Sequence, residues 1–132
     1  MVTVRDEVAE DVAAREALLD AAFGDARFEK TSERLREGRK PARGLSLTAV
    51  HHGDLVGTVR LWNIEAGAAG AGLLLGPLAV EEDARGLGIG ARLMREALWR
   101  AARTGHRFVL LVGDLAYYER FGFELADRKS VV

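Results

Sequence analysis

Two uninterrupted apolar runs on either side of one amphipathic helix limit what this chain can fold into. Residues 73–80 read Leu73-Leu-Leu-Gly-Pro-Leu-Ala-Val80, and residues 107–112 read Arg107-Phe-Val-Leu-Leu-Val112. Neither alternates with polar residues, so each is expected as a strand covered on both faces, the habit of parallel sheet. Between them, residues 88–104 place Ile89, Leu93, Ala97 and Ala101 on one helical face, with Met94 and Leu98 beside them, and Gly105 closes the segment. Strand, helix, strand in that order implies a parallel pair with a right-handed crossover. Pro77 cannot donate to a sheet ladder, which predicts a bulge or splay within the first of these strands.

Upstream, residues 2–5 are β-branched and predict a first strand. Residues 10–23 predict a helix carrying Val12, Leu18, Leu19, Ala22 and Phe23, and residues 29–39 a charged second helix ending near Gly38 and Pro41. Residues 45–51 and 55–63 alternate as strands do, and Gly53-Asp54 between them suits a tight hairpin. Residues 66–72 read as an Ala/Gly loop, residues 115–120 as a short helix, and Phe123 as the start of a strand. Trp62 and Trp99 are expected in the core. An antiparallel hairpin beside a parallel pair gives a mixed sheet, so the fold class is α/β to α+β. With 132 residues the chain suits one domain, spanning 1–132.

Several functions are disfavoured at once. Nineteen Lys and Arg against twenty Asp and Glu leave a net charge of −1, with both signs spread along the chain, so no nucleic acid or anionic membrane is expected as a partner. The absence of cysteine removes disulfides, thiolate nucleophiles and Cys-based zinc sites, and no metal is expected. Met1 to Glu7 has no apolar core of the kind a secretory signal needs. The longest uncharged stretch, residues 66–80, is fifteen residues interrupted by four glycines, short of a bilayer span. A cytoplasmic protein is the expectation.

The sharpest chemical signal is Arg85-Gly86-Leu87-Gly88-Ile89-Gly90, lying between the first apolar strand and the helix. Alternate glycines let main-chain N–H groups approach a ligand closely. The helix that follows contributes roughly half a positive charge at its N-terminus. With Arg85 as a multidentate cation, the segment is suited to phosphate or pyrophosphate. No G-x-x-x-x-G-K-[ST] occurs, which excludes a P-loop. Gly86-x-Gly88-x-x-Ala91 satisfies the loose dinucleotide pattern, but residues 81–85 separate it from the strand. No acid follows in residues 104–112, so that reading is rejected.

Pro77-Leu-Ala-Val80, Arg85-Gly-Leu-Gly-Ile-Gly90 and Tyr117-Tyr-Glu-Arg-Phe-Gly-Phe123, in this order and spacing, resemble the GNAT superfamily of acyl-CoA-dependent N-acetyltransferases. The likeness covers residues 73–123 closely and the upstream elements loosely. It implies that the splay at Gly76-Pro77 opens a cleft and that main-chain groups of Leu78, Ala79 and Val80 pair with the pantetheine arm of acetyl-CoA. It further implies that Arg85, Gly86, Leu87, Gly88, Ile89, Gly90 and Ala91 hold the pyrophosphate. Tyr118 matches the tyrosine four residues before the family's Gly-Phe pair and becomes the candidate general acid. A phenol near pKa ~10 protonates a thiolate of pKa ~8.5 only uphill, so its use is as a hydrogen-bond donor to developing charge. Tyr117, about 100° round a helix, is expected to pack.

No base is assigned. An alkyl ammonium costs about 4–5 kcal/mol to deprotonate at neutral pH, and the strand glutamate of many relatives is missing from residues 73–77. Glu65 and Asp114 are the nearest acids, Asp114 being better suited to capping the helix at Leu115. His51 and His52 flank a turn and are expected in solvent. Residues 34–43 are arginine-rich, which suits an exposed helix end better than a phosphate contact. The asparagine that many relatives carry before the tyrosine helix is also absent. The chain ends at Val132, where the family has two more strands, so the expectation is either a truncated or partly ordered chain or a sheet completed by another subunit, and an open edge favours a homodimer. The leading expectation is acetyl transfer to a primary amine of a small molecule. A non-catalytic acyl-CoA sensor and a protein N-acetyltransferase are its rivals.

Overall fold

The computed structural model describes residues 1–24, 38–65, 67–113 and 115–124. Five strands form one sheet in the order β1 (Val2–Asp6), β2 (Pro41–His51), β3 (Asp54–Glu65), β4 (Ala71–Val80) and β5 (Val109–Leu110). All neighbours are antiparallel except β4 and β5, which are parallel, so the sheet is mixed as expected. Among the described residues three α-helices accompany it: α1 (Val12–Phe23), α2 (Ile89–Arg103) and the single turn α3 (Leu115–Tyr118). The helix expected over residues 29–39 falls mostly outside the described residues.

The two faces of the sheet are covered by different helices. Ile89, Leu93, Met94, Ala97 and Ala101 of α2 pack on Leu45, Leu47, Ala49, Val59, Leu61, Leu73 and Leu75. Ile89, Leu93 and Met94 are all but inaccessible, and burial of each contributes about 1.5–3 kcal/mol. The bare Cα of Gly57 permits this contact, because a Cβ there would stand 2.9 Å from Leu93 Cδ1 and 3.0 Å from Ile89 Cγ2. The start of α2 is thus fixed to the middle of β3. On the opposite face, Leu18 and Leu19 of α1 cover Ala79.

Strand pairing departs from expectation in three places. The β2–β3 turn is His52-Gly53, with positive φ at both residues, and Asp54 already opposes His51 in the ladder. A two-residue hairpin of this hand matches the strand twist. β2 begins at Pro41 and carries an irregularity between Pro41 and Ser46. β5 is far shorter than residues 107–112: only Val109 and Leu110 pair with Leu73 and Leu74, and Leu73 N–H donates to Phe108 O at 3.1 Å. The cause lies in β4. Val59 opposes Leu78 and Leu61 opposes Leu75, so Arg60 alone faces both Gly76 and Pro77. This bulge turns β4 away from β5 just beyond their short ladder, which is the splay that Pro77 predicted.

Trp99 corrects another expectation. It is 55% exposed, with the Arg103 guanidinium 4.5 Å from its ring centroid, because it lies on the outer face of α2. Val12 is likewise exposed, whereas Arg15 is buried and pairs with Glu7 at 3.4 Å.

Candidate active site

Beyond Leu74, no described strand pairs with the outer side of β4. Glu81 N–H donates to Val56 O at 2.8 Å, marking that opposed pair as hydrogen-bonded. Antiparallel alternation then makes Thr58 and Ala79 the next bonded pair and turns the main-chain groups of Leu78 and Val80 toward the open side. Leu78 and Val80 offer acceptors and donors to a ligand lying along the strand edge. Ala79 instead faces β3 with its backbone and α1 with its side chain.

After β4, Glu82–Ala84 form a turn of 3-10 helix that ends at Arg85. Gly86 and Gly88 then adopt left-handed φ values of 92° and 73°, and Gly88 serves as the N-cap of α2. The first helical bond is Arg92 N–H to Gly88 O at 3.1 Å. Consequently the N–H groups of Gly86 and of Gly88 to Ala91 have no main-chain acceptor among the described residues, whereas that of Leu87 closes the turn over Arg85-Gly86. Helix starts leave such donors free, and the macrodipole adds positive potential at the same place. Buried amides without partners are costly, so a surface row of this kind is a receptor for water or an anion.

These amides open on a cleft of about 430 Å³. Of the residues the sequence singled out for cofactor binding, Leu78, Val80, Arg85, Gly86, Gly88, Ile89, Gly90 and Ala91 line it. Ala79 and Leu87 do not, Leu87 being 57% exposed. Two residues that sequence reasoning did not place here complete the wall, Tyr117 and Arg120. Contrary to the expected packing role, Tyr117 brings its hydroxyl 3.7 Å from the point where a Cβ on Gly90 would stand.

Tyr118 sits deeper, against the chain leaving β5. A Cβ on Gly113 would lie 2.5 Å from its ring, and it packs edge-on against Tyr117 and Phe123 at centroid distances of 4.9 and 6.1 Å. Burial, helped by neighbouring Tyr117, pushes its phenol up from the ordinary value of 10.0. A phenol shifted this way keeps its proton throughout the neutral range and remains a donor.

A third position missed in the sequence is Trp62. Its indole N–H donates to Gly76 O at 2.5 Å, tying β3 to the bulge at the root of the splay. Arg60 stacks beside the indole, 5.7 Å from its centroid, and donates through Nε and one Nη to the two oxygens of the nearly buried Glu7 carboxylate. The one sequence signal for this pair was its register opposite the proline strand. Glu65, a candidate base, is exposed and opposes Ala71 at the far end of β4 from the cleft. Asp114 lies outside the described residues.

The sheet is parted between β4 and β5, with a helix start bearing free amides beside the open strand edge, an arrangement suited to an extended, phosphate-bearing ligand. The acetyltransferase (GNAT) domain family matches residues 42–125, and the chain belongs to that family. It is 34% identical over 124 residues to the uncharacterized N-acetyltransferase YhbS of Escherichia coli K12, covering 93% of this chain and 74% of YhbS. The crystal structure of YhbS in complex with CoA superposes with a TM-score of 0.79 at 33% identity, covering 95% of this chain and 69% of that one. A GNAT family acetyltransferase from Brucella melitensis in complex with acetyl-CoA gives a TM-score of 0.75 at 33% identity, covering 95% and 84%.

Proposed function

We propose that this chain is an N-acetyltransferase that takes an acetyl group from acetyl-CoA and delivers it to the primary amine of a small molecule in a ternary complex. The observation that carries this reading is the set of free amides at Gly86 and Gly88 to Ala91 beside Arg85, opening on the cleft. The acetyl-CoA and CoA bound to the two relatives above support the choice of ligand.

The residues divide the work. The amides of Gly86 and Gly88 to Ala91, with Arg85, receive the diphosphate. The outward main-chain groups of Leu78 and Val80 pair with the amides of the pantetheine arm, extending the sheet by one strand. That pairing fixes the thioester where β4 and β5 part, beside Tyr118. The acceptor nitrogen attacks the carbonyl carbon, forming the C–N bond as the C–S bond breaks, and the Tyr118 hydroxyl donates to the departing sulfur. The ammonium proton leaves through water before attack and a second N–H proton passes to the departing thiolate, giving the amide and free CoA thiol; no acid or histidine lines the cleft among the described residues. Fixing the reactants in this geometry supplies about 7–11 kcal/mol when alignment is good.

That same lack of an acid favours one rival, a domain that binds acyl-CoA without turning it over. Calorimetry with acetyl-CoA followed by a thiol-release assay over an amine panel separates the two. Binding with turnover supports the transferase. Binding without turnover on any amine, free or peptide-borne, supports the sensor, and no binding ends both.

A further inference from the structure

Arg120 has no part in the reading above. It stands in the 3-10 turn Glu119–Phe121 directly after α3 and lines the same cleft as Arg85 and the glycine loop. Its guanidinium rests on the Tyr117 ring, 4.6 Å from the centroid. Tyr117 in turn reaches the neighbourhood of Gly90, inside the amide row. Arg85 and Arg120 therefore approach the row from two separate chain segments, one preceding α2 and one following α3. Neither forms an ion pair with a described residue, and no carboxylate lines the cleft among the described residues.

Two unpaired guanidiniums held over one row of amides are mutually repulsive unless an anion joins them. A diphosphate brings two negative charges, and Arg85 balances one. We infer that Arg120 is the second cation of the CoA site, clamping the diphosphate against residues 86–91 with the Tyr117 ring as its support. This inference rests on the CoA-binding reading. It assigns Arg120 to the diphosphate rather than to the 3′-phosphate, because Tyr117 holds it beside Gly90.

The test compares calorimetric affinities of wild type, Arg120→Gln, Arg120→Lys and Arg95→Gln for CoA and for dephospho-CoA, which lacks only the 3′-phosphate. Arg95 carries the same charge, sits over Phe121 at 5.6 Å and does not line the cleft. Arg120→Gln should weaken both ligands alike by about tenfold, the size of one charge-assisted contact at a partly exposed site. Arg120→Lys should recover part of that loss, and Arg95→Gln should change neither affinity. Unchanged binding in Arg120→Gln would overturn the inference. So would a loss confined to CoA, which would move the contact to the 3′-phosphate, or an equal loss in Arg95→Gln, which would reduce it to bulk charge. If the wild type binds neither ligand, the CoA reading itself falls.

Discussion

Replacing Gly88 by alanine separates what the glycine loop needs from what it merely contains. Gly88 is the N-cap of α2, with φ 73° and ψ 18°. A Cβ built on it meets nothing within 4 Å, so the substitution costs conformation and no space. An L-residue in that left-handed region costs about 1–2 kcal/mol. The chain can absorb this in two ways. It can keep the conformation, whereupon the full cost appears as lost stability in a urea titration. Alternatively it can relax toward negative φ, which turns the first peptides of α2 out of the amide row and moves the cost into CoA binding. The two losses should sum to about 1–2 kcal/mol; if binding carries all of it, affinity falls about 5–30-fold. Gly88→Asn should lie between, since asparagine tolerates this region better. Gly90→Ala is the control. Gly90 has no positive φ, and its Cβ would meet Val80 Cγ2 at 3.6 Å and the Tyr117 hydroxyl at 3.7 Å, both ordinary contacts. Stability there should stay level or rise by up to about 1 kcal/mol, as alanine replaces glycine in a helix. Gly88→Ala matching wild type in both measurements, or Gly90→Ala proving the more damaging, would refute the reasoning.

Other perturbations probe the rest of the site. Trp62→Phe keeps an aromatic ring but removes the donor to Gly76 O. Stability should drop by about 1 kcal/mol and the KM for acetyl-CoA should rise more than kcat falls, because the bulge sets the strand edge. Glu7→Gln leaves Arg60 and Arg15 without their shared carboxylate, and should cost about 3 kcal/mol in a denaturant titration. Tyr118→Phe should lower kcat about tenfold or more with little change in acetyl-CoA affinity, the scale of a single donor to developing charge. The raised Tyr118 pKa also fixes a pH window. The folded state holds this proton more tightly than the unfolded state, so the stability linked to it is complete below the ordinary value of 10.0 and is lost as pH rises through the folded value. No alkaline limb below that value should therefore arise from Tyr118 in the rate profile.

Legibility followed the range of the forces involved. The face of α2 was readable because Ile89, Leu93, Ala97 and Ala101 repeat with the helical period, and periodicity is a local property. Pro77 announced the bulge because the missing N–H is fixed by the residue itself. The length of β5 was not readable. Its apolar run continues to Val112, yet the ladder stops at Leu110 because β4 has turned away, a tertiary event. Trp99 failed as a core residue, and the Trp62 bond to Gly76 went unread, for the same reason, since exposure and that bond depend on partners distant in sequence. Within the glycine loop the free amides were legible, but the roles of the glycines were not alike: Gly86 and Gly88 serve backbone conformation, whereas Gly90 has room for a methyl. Tyr117 and Arg120 escaped because α3 is one turn long, too short for a periodicity argument to orient its side chains.

The most direct test is a nitrogen–proton correlation titration of isotopically labelled protein with CoA. Binding at the amide row should move the backbone resonances of Gly86 and Gly88 to Ala91 downfield together, saturating with one affinity, while Leu18 and Leu55 on the α1 side stay still. Saturable binding that leaves those five resonances unmoved, and shifts others instead, would contradict the account.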